Sequence, residues 1–239
     1  MQLASSSAAI DFAERIERVN AQIASAAKRA DRTPDEITLV AVCKTVDREA
    51  VDLAYQLGLR HFGENRVQDA LKKFETDVPD DLMLHMIGSL QTNKANQVVE
   101  RFCLIHSLDR SSLATALNKR ATRDNVIQPV LIQVNVAREE QKHGCLVEDV
   151  PALIEDVANH EGLRLDGFMT MAPLVSTPEQ ARPVFADMRK IASQMAERYP
   201  EFDLSEISMG MTNDFEVAIE EGATIVRVGR ALFQAANAS

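Results

Sequence analysis

Eight apolar segments, each followed by a stretch of helical periodicity, constrain this 239-residue chain more than any other feature. They run over 37–44, 60–64, 83–89, 102–108, 129–136, 163–171, 206–211 and 224–229. Each is apolar on both faces, as a parallel strand must be when helices cover one side and a barrel interior lies on the other. Helical patterns fill the gaps, among them Arg48 to Leu57, Ser111 to Arg123, Val147 to His160 and Pro178 to Tyr199. Asp47, Thr92, Asp109 and Thr177-Pro178 supply helix-start chemistry, and Gly58, Gly162 and Gly222 fall where helices should stop. One more helix is expected before the first strand, from Ser5 to about Ala30, with apolar positions at Ile10, Phe12, Ile16, Val19 and Ile23. The pattern predicts an α/β protein, a single (β/α)8 TIM barrel with an additional N-terminal helix, as one domain over 1–239 with its core at about 10–233. An open doubly wound sheet is the alternative. It usually carries fewer strands and often a glycine-rich first turn, whereas the first turn here is Lys44-Thr45-Val46-Asp47.

Composition narrows the function classes. No run approaches the ~18 apolar residues of a membrane span, and the start, Met1 to Ser7, lacks the basic and apolar segments of a secretory signal. Three widely spaced cysteines, Cys43, Cys103 and Cys145, without a CxxC, fit a reduced, cytoplasmic setting. A net charge of −10 with no basic run argues against nucleic acid as a partner. The five histidines show no metal-ligand spacing, and His85 reads as packing at the barrel's lower end. No extended apolar surface stripe is visible, so a monomer is expected.

In such a barrel the chemistry gathers at the carboxyl ends of the strands. Those ends carry Lys44, Glu64-Asn65, Gly88-Ser89, Ser107, Asn135, Met169 to Met171, Ser208 to Met211, and Arg227 to Arg230. A strand-end lysine taken out of water can act as a nucleophile. Glycines after the seventh and eighth strands free backbone N–H groups for an anion, and a helix starting after Gly229 would add its positive end. If Lys44 points inward, strand parity sends Val42 and Val40 inward too and turns Cys43 and Ala41 to the helices. A nucleophilic lysine, a phosphate cradle and an arginine on one rim suit a phosphorylated carbonyl compound. Pyridoxal 5′-phosphate (PLP) fits all three. A phosphosugar aldolase working through Lys44 without a cofactor needs the same parts.

Val42-Cys43-Lys44-Thr45, His61 to Asn65, His85 to Lys94, Ser208 to Met211 and Gly222 to Gly229 closely resemble the pyridoxal phosphate homeostasis protein family, in order and over nearly the whole chain. The resemblance implies a single barrel like the amino-terminal domain of alanine racemase, binding PLP in the cytoplasm without established turnover. By the same resemblance Lys44 is the Schiff-base lysine and Asn65 lines the cofactor. Ser208 and the backbone at Gly210, Gly229 and Arg230 form the phosphate grip, with Met209 as a further contact. Arg227 faces the pyridine nitrogen, and Lys142 is a second lysine near the cofactor. PLP-dependent apoenzymes are the implied recipients. Arg230 stands where the family often has threonine, and Leu84 where an aromatic is common. An arginine at the ring nitrogen makes the cofactor a weak electron sink. A racemase would then need two bases, yet the only tyrosines, Tyr55 and Tyr199, lie in helix patterns. A PLP-dependent racemase or lyase on a small amino acid is the enzyme alternative.

Overall fold

The computed structural model describes residues 6–139 and 143–234. Helix α1 (Ser6–Arg29) precedes strand β1 (Thr38–Val42), with a one-turn 3-10 segment at Pro34–Glu36 between them. Then come α2 (Arg48–Gln56), β2 (His61–Glu64), α3 (Val67–Lys73), β3 (Met83–Met86), α4 (Ala95–Val98), β4 (Leu104–Leu108), α5 (Ser111–Asp124) and β5 (Gln128–Gln133). The chain continues through α6 (Val150–Ala158), β6 (Leu163–Met169), α7 (Arg182–Arg198), β7 (Glu206–Met211), α8 (Phe215–Glu220), β8 (Ile225–Val228) and α9 (Arg230–Phe233). All eight strands are parallel and pair in sequence order, and β1 closes on β8 to complete a barrel. This is the expected (β/α)8 architecture with its extra N-terminal helix.

Two apolar layers hold the barrel together. Val40, Leu104, Leu131, Met169 and Ile225 pack inside it, while a larger cluster lies between the strands and the helices. Ala41 and Cys43 belong to that outer layer and Val40 to the inner one, so the parity inferred for β1 holds. Helix α1 lies against α8 and α9. Phe12, Ile16, Val19 and Ile23 are buried there, and the Phe12 ring meets Phe233 with centroids 5.4 Å apart. Ile10 falls outside the stripe and is exposed.

Several local signals act as expected. The Asp47 carboxylate caps α2 by accepting from Ala50 N at 2.9 Å, and Thr177 forms a capping box with Gln180. Thr92 and Asp109 do not cap: each accompanies Arg110, whose guanidinium bonds Thr92 Oγ1 and pairs with the Asp109 carboxylate. Gly58 and Gly222 end α2 and α8 at φ +100° and +97°, the left-handed region that glycine enters freely. Gly162 serves by its small size instead: a Cβ there would sit 2.8 Å from Asn118 Oδ1.

Candidate functional site

The strand ends open into a cleft of about 420 Å³, within the ordinary range for a small-molecule site. Lys44 lies two residues beyond β1, in the turn to α2, and its side chain is exposed at the mouth rather than removed from water. On the neighbouring strand, where β8 pairs with β1, Arg227 is the penultimate residue of β8 and is only 3 % exposed. Asn65, Gly88 and Ser89 line the wall after β2 and β3, and Gly229 and Arg230 line it after β8. Thus Lys44, Asn65, Arg227, Gly229 and Arg230 share one cavity. Lys142 lies outside the described residues, although its neighbour His143 lines the cleft.

The Ser208-Met209-Gly210 segment behaves differently from the phosphate grip that the resemblance implied. The Ser208 hydroxyl is buried beneath the cleft, bonded to His106 Nδ1 at 2.8 Å and to Arg227 at 2.6 Å. Met209 points into the outer apolar layer. Gly210 takes φ +89°, and a Cβ on it would meet Ala218 Cβ at 2.6 Å, so it faces α8 rather than the cavity. The pairing of β7 with β8 shifts register between Ser208 and Met211, and that irregularity breaks the simple alternation along the strand. Ser107 and Asn135 also lie outside the cleft lining.

In place of the Ser208 group, the last residue of β7 and those just beyond it reach the cavity: Met211, then Thr212, Asn213 and Asp214. Thr212 Oγ1 accepts a long bond from Gly229 N at 3.4 Å, and Asn213 Oδ1 accepts from Arg230 at 3.2 Å. Helix α9 is a single turn, too short to offer the positive end expected of it. The anion-attracting charge comes instead from Arg227, Arg230 and Lys44. Among the described residues Asp214 is the one carboxylate in the lining. It accepts from Met211 N, and burial pushes its carboxyl above the usual range. The sequence held one signal for Thr212, a hydroxyl directly after the seventh strand opposite the glycine that follows the eighth. The apolar wall of Met171, Pro173, Leu174 and Val175 had no such signal, and Leu174 there is 92 % exposed.

Arg227 is held from below. One guanidinium nitrogen donates to Ser208 Oγ and the other to Thr170 O at 2.9 Å, using two of its five N–H groups. Burial brings its pKa down to about 10, opposed by Asp214, so it remains a cation at neutral pH. Below it lie buried His106 and His85, whose pKa values burial depresses, His85 to about 3 with His61 adding repulsion. These rings stay neutral in the folded barrel but would charge in the unfolded chain below about pH 6.5. Stability is therefore unaffected above that pH and declines as pH falls from 6.5 towards 3. Between pH 7.5 and 5.0 His85 alone should remove about 2 kcal/mol. Urea unfolding at the two pH values measures this, and a His85→Gln variant should show a flatter dependence.

Gly88 makes the wall of the cleft sterically tight. A Cβ at this position would sit 2.1 Å from Asn65 O and 2.6 Å from Asn65 Cα, both backbone atoms that cannot swing aside. Gly88→Ala should cost on the order of 3 kcal/mol and displace Asn65. A thermal melt alongside ligand titration checks both effects.

Among the described residues no group of three or more His, Cys, Asp or Glu side chains is placed to hold a metal ion, and no helix is long and apolar enough to cross a membrane. Neither tyrosine reaches the cleft: Tyr55 bonds Asp81, and Tyr199 bonds Glu155 at 2.7 Å.

Comparison with known proteins places this geometry. The family model for the alanine racemase N-terminal domain matches residues 15–237. A pyridoxal phosphate homeostasis protein of Aquifex aeolicus is 44% identical over 220 residues, covering 92% of this chain and 96% of that protein. The structure of PipY from Synechococcus elongatus with PLP bound superposes with a TM-score of 0.82 at 35% identity, covering 93% of this chain and 99% of that one. An alanine racemase of Clostridium difficile shares the fold alone, with a TM-score of 0.73 at 13% identity; the match covers 93% of this chain and 57% of the racemase. The barrel therefore belongs to the alanine racemase N-terminal domain family and, within it, to the pyridoxal phosphate homeostasis proteins.

Proposed function

We propose that this chain binds PLP in the strand-end cleft and serves intracellular PLP homeostasis, holding the cofactor for later release to PLP-dependent apoenzymes. The observation that carries the reading is the convergence of the Lys44 amine, the Arg227 guanidinium and the Gly229–Arg230 wall on one cavity. The donor set suits the cofactor. Three N–H groups of Arg227 remain for the ring nitrogen, and an aldehyde-reactive amine stands at the mouth. Thr212, Asn213, Gly229 and Arg230 offer hydroxyl, amide and cationic contacts for a phosphate. Bound there, PLP would supply its aldehyde for covalent capture by Lys44. Lys142 belongs to the same proposal as a second amine near the cofactor.

The cleft supports storage better than turnover. Arg227 would hydrogen-bond a ring nitrogen without offering it a carboxylic acid partner, and among the described residues the lining has no tyrosine to serve as a second base. The exposure of Lys44 leaves a covalent link open to hydrolysis, which suits release. A single barrel domain, acting as a cytoplasmic monomer, completes the reading. The shared racemase fold is the observation behind the alternative, a PLP-dependent racemase or lyase.

The test pairs two assays on PLP-loaded protein. Transfer of cofactor to a purified apo-aminotransferase, with no turnover of free alanine, serine or threonine, is the expected result. Steady racemisation or elimination would replace this reading with the enzyme. A protein that takes up no PLP and gains no visible band would leave the cofactor-free aldolase.

A further inference from the structure

The barrel core contains a line of polar groups that the proposed function does not use. His61 on β2, His85 on β3 and His106 on β4 point inward and meet in tilted and edge-on pairs with ring centroids 5.2 Å apart at each step. His61 Nδ1 meets His85 Nε2 at 2.9 Å, and His85 Nδ1 meets His106 Nε2 at 3.0 Å. His106 Nδ1 then meets Ser208 Oγ at 2.8 Å, and Ser208 Oγ meets Arg227 at 2.6 Å. His61 is half-buried at the start of β2, while His85 and His106 are buried. The line thus runs from the solvent-facing amino-terminal end of the barrel to the floor of the cleft.

Its sense follows from donor counting. A guanidinium can only donate, so Ser208 Oγ accepts from Arg227. The hydroxyl could accept a second bond, but its buried proton also needs an acceptor, and among the described residues His106 Nδ1 is the partner left to take it, so the serine proton goes to His106 Nδ1. A neutral imidazole has one donor nitrogen and one acceptor, so His106 must donate from Nε2 to His85 Nδ1. By the same rule His85 donates from Nε2 to His61 Nδ1, and His61 turns its own Nε2–H towards solvent. Every polar atom of the line is satisfied, and burial keeps His85 and His106 uncharged, as this arrangement needs. Dipoles aligned in one sense strengthen one another in a low-dielectric core. Their acceptor ends all face the cationic arginine.

We propose that His61, His85, His106 and Ser208 form a polarised hydrogen-bond relay that holds Arg227 in place and couples the floor of the cleft to the opposite end of the barrel. His106 and Ser208 are positioning residues: they act on a bound ligand through Arg227. The part of the proposal that concerns PLP rests on the functional reading above; the sense of the relay does not.

Nitrogen-15 labelling of the histidines tests it on the full-length chain. Without ligand at pH 7.5, two-bond correlations should show His61, His85 and His106 all as Nε2–H tautomers with hydrogen-bonded Nδ1 acceptors. An Nδ1–H at either buried ring overturns the relay. Ser208→Ala, a small change, should move the His106 Nδ1 resonance towards its unbonded position and shift His61 with it. A His61 signal indifferent to Ser208→Ala overturns the coupling.

With PLP added, the His61 resonances should move although the ligand sits at the other end of the barrel. His106→Leu should weaken PLP about tenfold and displace the visible band, while His106→Asn, which keeps a group for Ser208, restores the band. If the two variants shift melting temperature alike and leave the band and affinity unchanged, His106 is structural packing and the positioning role fails. Should wild-type protein bind no PLP, the functional reading fails, and the unliganded tautomer and Ser208→Ala experiments still decide the relay.

Discussion

Lys44→Ala should abolish the borohydride-reducible visible band of PLP-loaded protein and weaken PLP about a hundredfold, roughly 2.7 kcal/mol, while leaving the fold intact. The Lys44 side chain is exposed in a turn beyond β1, and among the described residues no side-chain hydrogen bond or ion pair ties it to the barrel. Removing it should change stability by no more than about 0.5 kcal/mol. The wall residues and Arg227 do not depend on it, so a noncovalent fraction of the affinity should survive. Spectral titration and thermal melts on the same sample measure both quantities. A variant that keeps the reducible band would move the covalent role to another lysine.

Lys73→Met should be the most destabilising single substitution on the wall beneath that turn, at about 3–5 kcal/mol. Glu64, at the end of β2, is fully buried, and one carboxylate oxygen accepts from the Lys73 ammonium while the other has no partner. The same ammonium bonds the Cys43 carbonyl, directly before Lys44. The neighbouring Cys43 thiol, pushed up by burial with Glu64 adding to it, contributes no balancing charge. Losing Lys73 would strand a carboxylate in an apolar layer and release the turn that carries Lys44. Lys73→Met combined with Glu64→Leu should recover most of the stability, because removing both charges avoids the stranded one. Urea unfolding of the single and double variants gives the comparison. Equal losses in both would show that the pair matters for packing and not for charge. PLP binding should drop in the single variant through the loosened turn.

Much of this architecture was legible because two-sided apolar strands and helix-end residues recur in a strict rhythm. Every strand was found, most with an end trimmed inwards: 37–44 became Thr38–Val42 and 83–89 became Met83–Met86, while 206–211 is unchanged and the fifth strand starts one residue early at Gln128. The trimming is itself informative, since the removed residues, Lys44 and Gly88-Ser89, are those that leave the sheet to build the cleft. Arg227 and Lys44 were legible from their strand-end positions. The placement of Ser208, Met209 and Gly210 was not. Ser208 points inward but stops below the cleft on His106 and Arg227, Met209 alternates outward, and at Gly210 a positive φ beside the register shift aims the residue at α8. Asp214, Thr212 and the Met171–Val175 wall come from loops, whose paths no periodicity encodes. His85 was read as packing at the lower end. It lies in the core, but within a hydrogen-bonded line whose partners sit on four other strands.

The central claim is that Lys44, in the cleft floored by Arg227, is the amine that captures PLP. The most direct measurement is borohydride reduction of the PLP-loaded protein followed by peptide mass mapping. The account predicts a single pyridoxyl mass increment on the peptide that carries Lys44, absent when Lys44 is alanine. An increment on Lys73, Lys142 or another lysine, with Lys44 unmodified, would contradict it.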